Sequence, residues 1–240
     1  AGDCMSRRAK IIDLPAAPDL TFERGFWQAG LSRVAGLDEA GRGALAGPVV
    51  AAAVVLLQQE DVETRLAGVR DSKQMTPLQR ERCAEEIREV ALDWAVGWAC
   101  REEIDRINIY QATLLAMRRA VDGLRQPPDQ LLLDAFRLPG VDRPQLPLVK
   151  GDARSLSIAA ASVLAKTWRD AYMRQLEQRF PGYGFARHKG YATSAHFVAL
   201  AELGPCAEHR LSFAPMKSQD GACQPELLSE PAGDQPETGG

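Results

Sequence analysis

Asp38 and Glu39 stand side by side in "GLDEAGRGALAGPVVAAAVVL", after one apolar run and just before a longer one. Adjacent carboxylates repel, and burial raises the cost of ionising either. Two more acids share the setting: Asp134 closes the apolar run of "LLLDAF", and Asp152 lies in "KGDARS" directly ahead of a long helical pattern. Strand ends and nearby helix N-termini are where ligands gather in α/β sheets, and a helix dipole favours an ionised Asp152. Taken singly, each acid reads as an ordinary turn or capping residue. Four converging acids at neutral pH need protons or cations. Hard divalent ions such as Mg²⁺ or Mn²⁺ take carboxylate and water oxygens, and two of them are the usual apparatus for in-line phosphodiester cleavage.

The turn that follows is Gly41, Arg42, Gly43. Glycine permits backbone geometry closed to other residues and lets a ligand approach the main chain, while Arg42 suits a phosphate. Lys73 in "DSK", Lys150 and Lys189 are further phosphate-contact candidates; each alone is equally a solvated lysine. His188 and His196 lack the i, i+4 spacing of a helical zinc site. Ser72 and Ser157 have no attendant His–Asp arrangement in the sequence, which disfavours a serine hydrolase.

These groups need elements to hold them. "RVAGLD" and "GPVVAAAVVLL" read as strands, close enough in sequence to pair antiparallel. "TPLQRERCAEEIREVA" reads as a helix with Thr76 as N-cap and Pro77 at its first position. "DWAVGWAC" is a strand, and "REEIDRINIYQATLLAMRRAVDGLR" one long amphipathic helix stopped by "QPP". "DQLLLDAF" and "LPLVK" are short strands, and "SLSIAAASVLAKTWRDAYMRQLEQRF" a long helix ended by "PGYG". A leading meander followed by helix–strand alternation predicts an α/β domain with a mixed sheet, and the small residues of "IAAAS" suit a helix lying close on that sheet.

At 240 residues, 45% hydrophobic and 25% charged, the composition is that of a soluble globular protein. No apolar run approaches the roughly 20 residues of a membrane span, and no secretion signal is expected. The odd, scattered cysteines support neither a zinc site nor a disulfide framework, so a cytoplasmic setting is expected. The net charge of −3 is uneven, because residues 218–240 hold five acids and no Lys or Arg. Residues 150–191 carry eight Lys or Arg against three acids, a stripe suited to a polyanion. Residues 1–32 read as an extension of uncertain order, 33–217 as the catalytic domain, and 218–240 as a disordered acidic tail.

In "GLDEAGRGALAGPVVAAAVVL", "DSKQMTP", "INIYQATLLAMRRAV", "LLLDAF", "KGDARSLSIAAASVLAKTWRD", "YGFARHKGYATSAHFVAL" and "GP…HRLSFAPMK", the chain resembles the bacterial type 2 ribonuclease H family, ribonuclease HII, from about Arg33 to Lys217. The resemblance implies a ribonuclease H-like fold: a mixed five-stranded sheet flanked by helices, with a helical C-terminal addition. It implies metal ligation by Asp38, Glu39, Asp134 and Asp152, two Mg²⁺ or Mn²⁺ ions, the "GRG" motif at 41–43, and Tyr191 of "HKGY" as the junction-sensing tyrosine. Without it, Tyr191 reads as a plain core or surface aromatic. The implied activity is hydrolysis of RNA in RNA–DNA hybrids and incision at single ribonucleotides in duplex DNA, by a monomer whose partner is nucleic acid and not a membrane. A different nuclease on the same fold, and a non-catalytic nucleic-acid-binding module, are the rival readings. The "GRG" and "HKGY" motifs weigh against the first, and the presence of all four acids against the second.

Overall fold

The computed structural model describes residues 14–218. The elements run α1 (Thr21–Gln28), β1 (Val34–Ala40), β2 (Val49–Leu56), α2 (Val62–Arg65), α3 (Pro77–Val90), β3 (Ala91–Ala99), α4 (Arg101–Asp122), β4 (Gln130–Asp134), β5 (Gln145–Leu148), α5 (Leu156–Arg179), α6 (Phe185–His188) and α7 (Ser194–Leu203). The sheet has five strands in the order β3-β2-β1-β4-β5. β1, β2 and β3 form the antiparallel meander, and β1, β4 and β5 run parallel. The mixed sheet, the strand set and the leading antiparallel pair agree with the sequence reading. Residues 1–13 of the N-terminal extension and 219–240 of the acidic tail lie outside the described residues.

Alternation along β1 divides the core. Ala35 and Leu37 pack toward α4, whereas Val34 joins the cluster built on α5. Every residue of β2 is buried, as expected of a central strand covered on both faces. Gly36 also faces α5, and a Cβ there would stand 2.2 Å from the Ser157 carbonyl carbon. The small-residue stretch Ile158–Ala161 is fully buried against the sheet, so close approach, and not helix propensity alone, accounts for it.

Two helices depart from their sequence reading or add to it. α3 begins as predicted, with Thr76 and Gln79 closing a capping box. The long pattern of residues 101–122 is broken at Asn108, whose φ of 66° and ψ of 163° are not helical. The Asn108 side-chain oxygen accepts from the Gln111 amide and so caps the second half. This φ/ψ pair lies outside the left-handed well that Asn favours, in a region otherwise kept to glycine, and apolar periodicity runs through the kink, which hides it from pattern reading. Ahead of the sheet, α1 inserts the buried carboxylate of Glu23 at the start of α5. It accepts from the Ser155 and Ser157 hydroxyls and the Ser157 amide, and burial pushes its pKa up.

Candidate functional site

Parallel pairing of β1 with β4 runs from Val34↔Gln130 to Leu37↔Leu133. The next residue on each strand is an acid, Asp38 or Asp134. Neighbouring strands lie about 4.8 Å apart and in-register residues share a face. Leu37 and Leu133 point to the α4 side, so the two carboxylates emerge together on the opposite side, toward α5. Beyond Leu37 the strand stays paired only with β2, through Asp38↔Ala52 to Ala40↔Val50. β1 therefore continues past Asp38, which does not end it as the sequence pattern suggests. Asp152 comes from the turn Gly151–Ala153 immediately before α5. The Gly151 amide donates to Asp134 at 2.8 Å and ties this turn to β4.

The electrostatics make one group of these acids. Asp38 is 7% exposed, and burial first, then Glu39 and Asp134, hold its carboxyl well above the usual range despite hydrogen bonds from Ser162 and the Glu39 amide. Burial also raises Glu39, with Asp134 adding to it and Arg42 opposing. Asp152 is raised by burial, then by Asp134 and Asp71, with Lys73 opposing. Partial burial would lower the Lys73 ammonium, but Asp38, Asp71, Asp152 and Glu39 outweigh it and push it up. Lys73 thus faces the acids. Arg42 also turns to them, pairing with Glu39 at 3.1 Å.

Among the described residues, no three His, Cys, Asp or Glu side chains are already drawn into a closed ligand set. Glu39 pairs with Arg42, and Asp134 accepts from the Gly151 amide. The donors are all carboxylate oxygens, and burial together with neighbouring acids raises Asp38, Glu39 and Asp152. Both properties fit a hard divalent cation.

Beside the acids, Glu39, Gly41, Arg42, Gly43, Lys73 and Tyr191 help line a cavity of about 240 Å³. The Tyr191 ring lies over two cations, Arg169 at 5.3 Å and Lys166 at 5.8 Å. The other lysines are placed differently. Lys150 is exposed, in the left-handed conformation just before the Asp152 turn. The Lys189 ammonium bonds the Ala186 carbonyl. The stripe of residues 150–191 does not form one basic face: Arg169 is fully buried, Arg174 pairs with Glu81, and Lys166 pairs with Asp170. Eight cations on a helix and its flanking loops necessarily point several ways.

The sequence reading missed how the histidines are used. The His209 ring accepts the Cys206 amide at Nδ1, so its Nε2–H donates to His196 Nε2 at 3.0 Å. His196 in turn donates from Nδ1 to the Tyr191 carbonyl. The chain works only with neutral rings. Burial, then His196, hold His209 down to about 4, well below the ordinary value of 6.5. Its neutral form therefore adds stability that is complete above pH 6.5 and drains away as pH falls toward 4, about 3 kcal/mol in all. Unfolding free energies from urea titration at pH 7.5 and 4.5 should differ by most of that amount more in the wild type than in His209→Gln. Equal pH slopes would show that His209 does not titrate low.

The ribonuclease HII family model matches residues 35–216. The ribonuclease HII of Synechococcus sp. strain JA-3-3Ab is 51% identical over 206 residues, 86% of this chain and 92% of that relative. The ribonuclease HII of Syntrophotalea carbinolica is 54% identical over 194 residues, 81% and 91% of the two chains. The crystal structure of ribonuclease H2 from Pyrococcus horikoshii OT3 superposes with a TM-score of 0.65 at 26% identity, covering 79% of this chain and 97% of that one. A match spanning the whole sheet, both flanking helices and the C-terminal helices leaves one assignment: the chain belongs to the ribonuclease HII family and is a ribonuclease H, a hydrolase acting on RNA in RNA–DNA hybrids.

Proposed function

We propose that this ribonuclease H also incises duplex DNA on the 5′ side of a single embedded ribonucleotide, leaving a 3′-OH and a 5′-phosphate, and so serves ribonucleotide removal during DNA replication and repair. The observation that carries this reading is the cavity shared by the glycine turn and Tyr191, set directly against the carboxylate group. RNA differs from DNA at the 2′-OH, which both donates and accepts. The main chain of residues 41–43 reads that hydroxyl at close range. The Tyr191 ring packs on the following deoxyribose, where an added hydroxyl would lose its water without gaining a partner. Arg42, Lys73, Lys150 and Lys189 are the phosphate contacts of this reading.

Asp38, Glu39, Asp134 and Asp152 would hold two divalent ions, Mg²⁺ or Mn²⁺, with Asp38 shared between them, Asp152 on the water side and Glu39 with Asp134 on the side of the departing 3′ oxygen. Such ions supply the positive charge that activates water and steadies the leaving oxygen. Hydrolysis by water fixes the product ends, since attack by the 2′-OH would give a 2′,3′-cyclic phosphate instead. Every group in this scheme lies on one chain, so a monomer suffices. Among the described residues no helix is long and apolar enough to cross a membrane, and the expected cytoplasmic setting belongs to the same proposal.

The test is cleavage of an end-labelled DNA duplex holding one ribonucleotide, beside a continuous RNA–DNA hybrid, with wild type and Tyr191→Ala. Loss of ring packing worth 1–2 kcal/mol should cut the preference for the single-ribonucleotide duplex about tenfold, with Mn²⁺ affinity near the wild-type value. A cyclic phosphate product would overturn the hydrolytic scheme, and an unchanged preference in Tyr191→Ala would remove the tyrosine from recognition.

A further inference from the structure

Arg169 on α5 and Arg210 after α7 are both fully buried. A buried guanidinium ordinarily sits against a carboxylate. Here every hydrogen bond of both side chains ends on a main-chain carbonyl. Arg169 donates to Pro48, Lys189 and Ala46 at 2.9, 2.9 and 3.0 Å. Arg210 donates to Gly47, Arg42 and Gly41 at 3.0, 2.9 and 2.8 Å. Burial and, for Arg210, the neighbouring Arg169 disfavour the charge, opposed by Tyr191 first and then by Asp170 and Asp105, neither of which hydrogen-bonds either guanidinium. Well-packed apolar residues would serve plain stability as well or better, so the pair calls for another purpose.

The bonded carbonyls belong to the two segments that bound the cavity. Arg210 grips the glycine turn at residues 41 and 42. Arg169 lies against the same turn, since a Cβ on Gly41 would fall 2.1 Å from its Nε. Arg169 also holds the Lys189 carbonyl and carries the Tyr191 ring above its guanidinium. Between the segments the Leu45 amide donates to the Gly190 carbonyl at 2.7 Å. In a trans peptide the N–H points opposite to the C=O. Drawing the Gly41 and Arg42 carbonyls inward therefore turns the Arg42 and Gly43 amides outward, and among the described residues neither meets an acceptor.

We propose that Arg169 and Arg210 are positioning residues for ribonucleotide recognition: a two-guanidinium brace that sets the separation of the glycine turn from Tyr191 and presents the turn's amides to the substrate. This rests on the recognition scheme proposed above. The brace needs the planar fork of arginine, because three carbonyls at fixed angles cannot be served by a single ammonium. Lysine keeps the charge and most of the volume while losing the fork.

Arg210→Lys and Arg169→Lys should each lower kcat/KM on the single-ribonucleotide duplex by about 100-fold, the scale of a 1 Å misplacement. The loss on a continuous hybrid should be at least tenfold smaller, and Mn²⁺ affinity by titration calorimetry should stay within about twofold. In Tyr191→Ala the lysine changes should take away little further preference, since the brace acts through that ring. Equal losses on both substrates would mark a purely structural role and overturn the brace, as would failure of both lysine variants to fold. A wild type that shows the single-ribonucleotide preference together with lysine variants that keep it would overturn the brace alone. A wild type without the preference would overturn the recognition scheme and the brace with it.

Discussion

Asp38→Asn is expected to raise the melting temperature of the metal-free enzyme by about 3 °C or more while lowering its cleavage of an RNA–DNA hybrid by at least about a thousandfold. The first effect follows from the site's electrostatics. Asp38 is almost fully buried, next to Glu39 in the chain and beside Asp134 across the sheet. Its carboxyl is held well above the usual range by that burial and those neighbours. A group whose folded-state pKa is raised in this way detracts from stability above its unfolded value, so at neutral pH the charge works against the fold. Asparagine keeps the shape and removes the charge, and relief of about 1 kcal/mol moves a domain of this size by roughly 2–4 °C. The second effect follows from the proposed use of the same charge, because metal-held charge stabilisation is worth several kcal/mol in the transition state. The checks are melting in EDTA at pH 7.5 and single-turnover cleavage. A lower melting point would refute the repulsion argument. Cleavage near the wild-type rate would remove Asp38 from the metal-binding set.

Gly36→Ala should lose about 3 kcal/mol or more of folding stability, the upper end of what overpacking costs. The added methyl would lie 2.2 Å from the Ser157 carbonyl carbon, 2.3 Å from the Ile158 nitrogen and 2.5 Å from the Ser157 oxygen. All of these are backbone atoms, so no side-chain rotation relieves the contact. α5 has to lift away from β1 or β1 has to bend. Both movements pass to the site, because the turn carrying Asp152 leads directly into α5 and Ser162 lies on it. Urea unfolding at neutral pH measures the loss, and a wild-type midpoint would mean that helix and sheet lie farther apart than described.

What the sequence made legible follows the range of the interactions involved. Thr76, Pro77 and Gln79 announce the start of α3 because all the capping partners lie within one turn. The alternation and apolar runs that reveal β1, β2 and β4 are equally local. Asn108 was not legible, because its capping bond to Gln111 leaves the apolar spacing of α4 undisturbed. Of the four acids, residue type and placement singled out each one, but only pairing of β1 with β4 in register puts Asp38 beside Asp134. The buried arginines depend on contacts to distant segments such as Gly41–Pro48. One signal was available: Arg169 falls four residues from Ala165 and four from Met173, on the buried face of α5. A cation on such a face needs polar partners, though the pattern alone does not say which. The histidine chain left no trace of that kind, since its members come from three separate loops and helices.

The adjacent acids Asp38 on β1 and Asp134 at the end of β4 also bear on how the site is assembled. β1 and β2 are neighbours in the chain and in the sheet, whereas β2, β3 and α4 all lie between β1 and its parallel partner β4. Contacts between segments so far apart in the chain are the slow ones to form. Until that parallel pairing is made, Asp38 and Asp134 have no common face, so the grouping of the acids waits on a contact between segments nearly a hundred residues apart in the chain.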